Sequence, residues 1–289
     1  MREGEVWNAT VNDGGRGERE STLGPMILSS GPLATWLAIA ALVAYGLAAV
    51  PWRKGSHVDA VALGFGWVAH GLALVADIAG SGHGARFGFA PVLSITVWLV
   101  LLVHAIESRM LPLPAVRRAL AAAGCVAVAL AWVFPGEVRL ASHSPWAPLH
   151  WVLGVVSYGL FGVAVLHAWM LDAAERRMRN HADGEGTVLG LPLLRLERLT
   201  FGFVQAGFVV LTLTLVLGAA TVTQWRWDHK TVFSLLGWAV FAALLAGRVL
   251  RGWRGRQATR WLYSGAALLL LAYVGSRFVL EVILGRTVY

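Results

Sequence analysis

The chain has 289 residues, of which 57% are hydrophobic and only 14% are charged. Soluble domains carry about 45 to 50% apolar and about 25% charged residues, so this composition excludes an ordinary soluble protein and predicts an integral membrane protein. The net charge of +8 falls in short arginine clusters between apolar runs and forms no single basic face, which argues against nucleic acid as a partner. The single cysteine, Cys125, excludes a disulfide framework, a CxxC redox pair and a cysteine-based metal site.

The chain divides into a polar beginning and an apolar remainder. Residues 1–25 are rich in Gly, Asn, Asp, Arg and Glu and contain no apolar run. They are therefore predicted to be a disordered N-terminal extension, and an ordinary cleaved signal peptide is excluded. Residues 26–289 are predicted to form one transmembrane domain.

Eight apolar segments are long enough to cross a bilayer, since about 20 residues of helix span the roughly 30 Å hydrocarbon core. Near-continuous apolar runs of this length favour helices over the shorter alternating strands of a barrel. The predicted fold is all-α, a polytopic bundle of about eight transmembrane helices. The predicted spans are Pro32 to Val50, Ala60 to Ala79, Phe89 to Ile106, Val116 to Phe134, Pro148 to Leu171, Phe201 to Ala220, Thr231 to Gly247, and Trp261 to Leu284.

The distribution of Lys and Arg predicts the orientation of the bundle. Fifteen of these residues fall in or beside the first, third, fifth and seventh loops, against four in the alternate loops. Cytoplasmic loops carry the excess of positive charge, so both termini are predicted to lie outside. In the long fifth loop, the string LPLLRLER at residues 191–198 predicts a short interfacial helix.

The string WRWDHK occupies residues 225–230, in the predicted outer connection between the sixth and seventh spans. The rings of Trp225 and Trp227 can offer a flat apolar platform, and the adjacent Arg226 and Lys230 can meet carboxylates. A porphyrin with its propionates fits these demands. The alternative is that the two tryptophans belong to the interfacial aromatic belt and their charged neighbours lie among lipid headgroups.

Two histidines are candidate haem ligands. His150 lies at the outer end of the fifth span, where neutral imidazole could ligate haem iron; a polar interfacial role is the alternative. His70 lies near the middle of the second span, with Asp77 on the same face of that helix. An ionisable residue inside a bilayer is costly and is a functional candidate, although a hydrogen bond to a neighbouring helix is an equal alternative.

The eighth span carries Arg277 and Glu281 four residues apart, which could neutralise each other or orient a buried propionate. We find no P-loop, HExxH, GxSxG or nucleotide fingerprint in a convincing context, and no matched pair of broken helices typical of a transporter. The sequence therefore predicts binding rather than bond-making, and no enzyme is expected.

Three stretches carry a family resemblance: residues 144–171 (SPWAPLHWVLGVVSYGLFGVAVLHAWML), 191–218, and 225–281 with WRWDHK, GWRG and YVGSRFVLE in order. Together they resemble the cytochrome c assembly family that includes the CcsA and CcmC proteins, most closely its short branch of YpjD-like and HemX-like proteins. The resemblance implies an inner-membrane protein that binds haem near its outer face. It further implies that Trp225, Trp227 and Asp228 are the remnant of the family's WWD motif, and that His150 is its outer histidine.

The chain departs from the family pattern around this motif. The string is shorter and poorer in Trp, Ala246 and Gly247 stand where CcsA proteins have a membrane histidine, and no His follows His229. Two hypotheses remain open. In the first, His150, with His70 or His229 as second ligand, binds haem for delivery with apocytochrome c and other assembly proteins as partners. In the second, the chain keeps the fold as an accessory or regulatory membrane protein, like HemX proteins.

Overall fold

The computed structural model describes residues 31–52, 57–80, 84–107, 114–140, 146–180, 193–221 and 227–284. Within these ranges, eight helices are long and apolar enough to cross a membrane, which confirms the predicted all-α polytopic bundle. The predicted N-terminal extension, Trp225 and Arg226 lie outside the described residues. The helices are α1 (Pro32–Ala49), α2 (Val58–Gly80), α3 (Phe89–Glu107), α4 (Pro114–Val133), α5 (Ala147–Asn180), α6 (Leu193–Thr221), α7 (His229–Arg251) and α8 (Gly255–Leu270).

Helices α5 and α6 extend well beyond the predicted spans. Helix α5 continues through the charged run that follows Leu171, and α6 begins at Leu193, so most of the LPLLRLER string forms its first turns. The prediction of a separate interfacial helix from this string is therefore wrong. The physical reason is that a helix need not end where the lipid ends, because Arg and Glu are good helix formers in water.

Helix α8 continues toward the end of the chain through wider turns. A π-helical segment, Leu271–Gly275, is followed by a short α-helical turn, Ser276–Phe278, and a second π-helical segment, Val279–Ile283. Such π-helical turns often occur at functional sites. We refer to residues 271–283 as the α8 extension.

Two short strands were not predicted from the sequence. Strand β1 (Gly84–Phe87) lies between α2 and α3, and β2 (Glu137–Leu140) lies between α4 and α5. They pair antiparallel, with Phe87 opposite Glu137. The backbones approach so closely beside them that a Cβ atom on Gly88 would lie 2.8 Å from the Cα of Gly136. We call this end of the bundle, which also carries the first turns of α5 and α7, the strand end, and the opposite one the arginine end.

The bundle has two cores that share α5 and, through Leu196, the beginning of α6. The first core joins α1 to α4 and includes Val163 and Met170 of α5. The second joins α5 to α8 around Phe161, Phe241 and Leu262. Because lipid tails are as apolar as the core, close packing rather than the hydrophobic effect holds such helices together. Helix α5 therefore fixes the position of one half of the bundle against the other.

Candidate functional site

A cavity of about 650 Å³ opens among α5, α6, α7 and α8 toward the strand end. This volume lies within the range of about 300 to 1,000 Å³ typical of small-molecule and cofactor sites. Its walls include Trp151 of α5, Trp238 of α7 and Tyr273 of the α8 extension, while His150, Asp228 and Lys230 line the part nearest the strand end. The cavity thus combines aromatic walls with a polar mouth.

His150 lies in the first turn of α5, where its backbone N–H donates to the carbonyl of Trp146 at 3.0 Å. Its ring atom Nδ1 lies 3.1 Å from the backbone carbonyl oxygen of Thr214 on α6. A carbonyl oxygen can only accept, so Nδ1 must carry the proton of this hydrogen bond. Nε2 of the neutral ring then bears the lone pair, which is the form of imidazole that binds a metal.

Gly218 of α6 provides the space for this ring. A Cβ atom at Gly218 would lie 2.9 Å from Cε1 of His150 and 3.4 Å from its Nδ1. Together, Gly218 and the carbonyl of Thr214 form a seat on α6 that fixes both the position and the tautomer of the imidazole. Metal-binding histidines commonly donate their other ring N–H to a carbonyl or carboxylate in this way.

The first turn of α7 forms one edge of the cavity mouth. The Asp228 side chain caps this helix by accepting from the backbone N–H of Thr231 at 2.8 Å, as expected of an N-cap aspartate. Partial burial raises the pKa of the Asp228 carboxyl, but hydrogen bonds from Thr231 and the charges of Lys230 and His229 outweigh this effect and hold the pKa below its ordinary value. Asp228 therefore places a negative charge beside Lys230.

Lys230 and Trp227 occupy different environments at this mouth. The Lys230 ammonium lies 5.7 Å from the ring centroid of Tyr273, which keeps a positive charge at the edge of the cavity. The Trp227 side chain is 72% exposed and does not line the cavity in the part of the chain that is described. His229 is also exposed. The predicted roles of Trp227 as a stacking platform and of His229 as a replacement ligand stay predictions, as does the role of Trp225.

His70 lies in a separate polar cluster deeper in the bundle. Its Nδ1 is 3.2 Å from the hydroxyl of Tyr45 on α1, and its Nε2 is 2.7 Å from the hydroxyl of Ser94 on α3. The ring is only 1% exposed. Ligation of iron by His70 would break one of these hydrogen bonds, so this contact pattern is that of a histidine that joins three helices. The predicted role of His70 as a second ligand is not tested by these contacts.

Arg277 is buried in the α8 extension and lies between two carboxylates. Its Nη1 is 3.7 Å from Glu137 on β2 and 3.6 Å from Glu281. The sequence predicts Glu281 as a partner of Arg277. It gives no indication of Glu137, which lies 140 residues before Arg277 in the chain. Arg277 does not line the cavity, and this ion-pair cluster joins the strands to the α8 extension. A role in orienting a propionate stays a prediction.

Several residues of the site belong to no recognisable motif in the sequence. Thr214 and Gly218 lie in an ordinary apolar run. The sequence predicts Tyr158 only as a core aromatic residue, although its hydroxyl donates to the carbonyl of Leu269. Their participation depends on which helices lie side by side. The spacing of Gly218 one turn after Thr214 is the single local feature that could have drawn attention to them.

Comparison with known proteins gives a consistent set of relatives. The family described as "Cytochrome C assembly protein" matches residues 58–284. The inner membrane protein YpjD of Escherichia coli strain K12 is 30% identical over 266 residues, which cover 85% of this chain and 98% of that protein. The cytochrome c biogenesis protein CcsA of Parasynechococcus marenigrum is 28% identical over 232 residues, covering 68% of this chain and 75% of that protein. No solved structure matches.

Proposed function

Because this chain belongs to the cytochrome c assembly protein family, we propose that it binds haem in the cavity among α5 to α8 and presents it for cytochrome c assembly. The chain is a multi-pass protein of the bacterial inner membrane, as its eight apolar helices and its relatives indicate.

The observation that carries the proposal is the hydrogen bond between His150 and Thr214. It leaves Nε2 with its lone pair on a ring that lines the cavity. A histidine held in this tautomer by a carbonyl is prepared to bind iron without first losing a proton. An ordinary interfacial histidine needs no defined tautomer, so this hydrogen bond supports the role of His150 as a ligand.

The rest of the cavity suits a flat apolar molecule with an anionic edge. Trp151, Trp238 and Tyr273 offer aromatic surface along its walls, which favours stacking with a planar macrocycle. Lys230 at the mouth offers a positive charge to a propionate. The chain's own residues would hold and orient the cargo, and bond formation to apocytochrome c would fall to partner proteins of the assembly pathway.

One observation favours the alternative, an accessory or regulatory membrane protein of the same fold. His150 is the only histidine among the described residues that line the cavity, so a second axial ligand is not provided by these residues. A protein with one ligand would bind haem more weakly than a protein with two. The spectrum of the purified protein separates the two functions.

The test is to purify the protein in mild detergent from haem-replete cells and record its oxidised and reduced absorption spectra. We expect a Soret band in the wild type, its loss in His150→Ala, and its return when imidazole is added to that variant. His57→Ala is the matched control, since His57 is exposed near the arginine end and its loss should leave the spectrum unchanged. A colourless wild type that takes up no added haem would favour the regulatory function.

A further inference from the structure

Part of the cavity wall is also part of the outer surface of the bundle. Val216 and Ala219 of α6 both line the cavity. Val216 is nevertheless 61% exposed, and Ala219 is exposed as well. A residue that lines a cavity and also faces outward lies at an opening of that cavity.

Contacts between α6 and α7 limit this opening on the side away from the strand end. The indole Nε1 of Trp238 on α7 donates to the hydroxyl of Thr212 on α6 at 3.0 Å, and the Trp238 ring stacks on Phe208 with ring centroids 5.6 Å apart. These contacts join the two helices. Val216 lies one helical turn, about 6 Å, further toward the strand end than Thr212, where the cavity-lining face of α6 is left uncovered.

The opening lies within the membrane-crossing part of α6. Val216 and Ala219 belong to the membrane-crossing helix that ends at Thr221, and Val216 lies roughly 8 Å along the helix from that end. The neighbouring outward residue Leu213 is 52% exposed, as suits a surface in contact with acyl chains. The charged residues of the mouth, Asp228 and Lys230, lie beyond the opening at the strand end.

We propose that the cargo enters the cavity sideways from the lipid phase, through a gap between α6 and α7 on the strand-end side of Trp238. This inference rests on the proposed function for the identity of the cargo, a planar apolar molecule with an anionic edge. Such a molecule partitions into a bilayer with its carboxylates at the interface. Sliding between the helices at the level of Val216 keeps the macrocycle out of water and brings its carboxylates toward Lys230.

The opening is tested without haem by thiol labelling in vesicles. In a Cys125→Ala background, Ser234→Cys places a thiol at a cavity-lining position of α7. We expect a long-chain alkyl maleimide dissolved in the lipid to label this thiol faster than a sulfonated, water-confined maleimide. Val216→Trp should slow labelling from the lipid, whereas Val209→Trp, at a 57% exposed position of the same helix outside the cavity, should not. Faster labelling by the sulfonated reagent overturns the proposal.

The route of the cargo is tested by the kinetics of haem uptake. Haem is supplied either in preloaded vesicles or on a water-soluble carrier, and the growth of the Soret band is followed. We expect Val216→Trp to slow uptake from vesicles by about tenfold relative to uptake from the water-soluble carrier, within the one to three decades over which on-rates vary in one series. Val209→Trp should match the wild type, and an unaffected rate in Val216→Trp overturns the lateral route.

The Soret band tests haem binding and thiol labelling tests the lateral opening, so the two can fail independently. If the wild type binds no haem but its cavity thiol is labelled from lipid, the opening stands and haem is rejected as the cargo. If the wild type binds haem while the thiol is labelled from water alone, the haem site stands and the lateral opening is rejected.

Discussion

Gly218 on α6 lies directly against the imidazole of His150 on α5, so closely that a Cβ atom at Gly218 would be 2.9 Å from Cε1 of the ring. Real Cβ atoms do not approach other atoms this closely, so any larger side chain must displace the imidazole. The same helix holds that ring through the carbonyl of Thr214 at 3.1 Å. The position and the tautomer of His150 therefore depend on one turn of α6.

Gly218→Ala is expected to weaken haem binding by moving the His150 ring off the Thr214 carbonyl. Loss of a group that orients a metal-binding histidine typically costs about 10- to 100-fold in affinity, and we expect a loss of this size in a haem titration. Gly202→Ala is the matched control, because no atom lies within 4 Å of a Cβ there. That variant should bind haem normally and gain up to about 1 kcal/mol in stability. Equal affinities in both variants would contradict the role of Gly218.

His70→Ala is expected to lower stability and leave the haem spectrum unchanged. The substitution leaves the buried hydroxyls of Tyr45 and Ser94 without their shared partner, and a buried polar group left unpaired costs about 1 to 3 kcal/mol. Thermal unfolding in detergent measures the loss, with His57→Ala as the exposed control. If the folded His70→Ala protein has a shifted or missing Soret band, this result supports His70 over His229 as the second ligand.

The sequence identifies the membrane helices well because each span needs only a local run of apolar residues. It also singles out His150 as a candidate ligand, since that histidine begins a span beside a recognisable motif, and this role stays a prediction. The seat of His150 could not be predicted, because Thr214 lies 64 residues further along the chain and nothing local indicates that α5 and α6 pack at that height. The two strands could not be predicted for a similar reason. Phe87 and Glu137 pair only because the packing of α2 to α5 brings two short connections together.

Glu107→Leu is expected to destabilise the arginine end of the bundle. The buried His167 lies with Nδ1 at 2.9 Å from the carbonyl of Val163 and with Nε2 at 2.9 Å from the carboxyl of Glu107. The carbonyl can only accept, so Nδ1 is protonated and a further proton must lie between Nε2 and the carboxyl group. Removing that carboxyl leaves Nε2 buried without its partner, at a cost of about 1 to 3 kcal/mol.

Glu107→Gln provides the matched variant for this pair. Its amide N–H can donate to Nε2 of His167, so most of the stability lost in Glu107→Leu should be retained. Thermal unfolding midpoints of the two variants and the wild type measure the difference. Equal destabilisation by Leu and Gln would show that the hydrogen bond to His167 contributes nothing.

Asp228→Ala is expected to loosen the first turn of α7, and with it the mouth of the cavity. Asp228 accepts from the Thr231 N–H at 2.8 Å, and replacing an N-cap aspartate by Ala costs about 0.5 to 2 kcal/mol. Because the pKa of Asp228 lies below its ordinary value, the carboxylate form stabilises the folded state. This contribution is present at pH above the ordinary carboxyl pKa of about 4 and is lost as pH falls through the folded-state pKa.

The pH dependence separates the charge of Asp228 from its capping hydrogen bond. Asn caps helices about as well as Asp but does not titrate, so Asp228→Asn should keep most of the stability at neutral pH and lose less of it on acidification than the wild type. We expect the unfolding midpoints of the wild type and Asp228→Ala to differ at pH 7 and to converge at pH well below 4. A constant separation across this range would mean that the cap acts independently of its charge, and the lowered pKa would then have no part in ordering the cavity mouth.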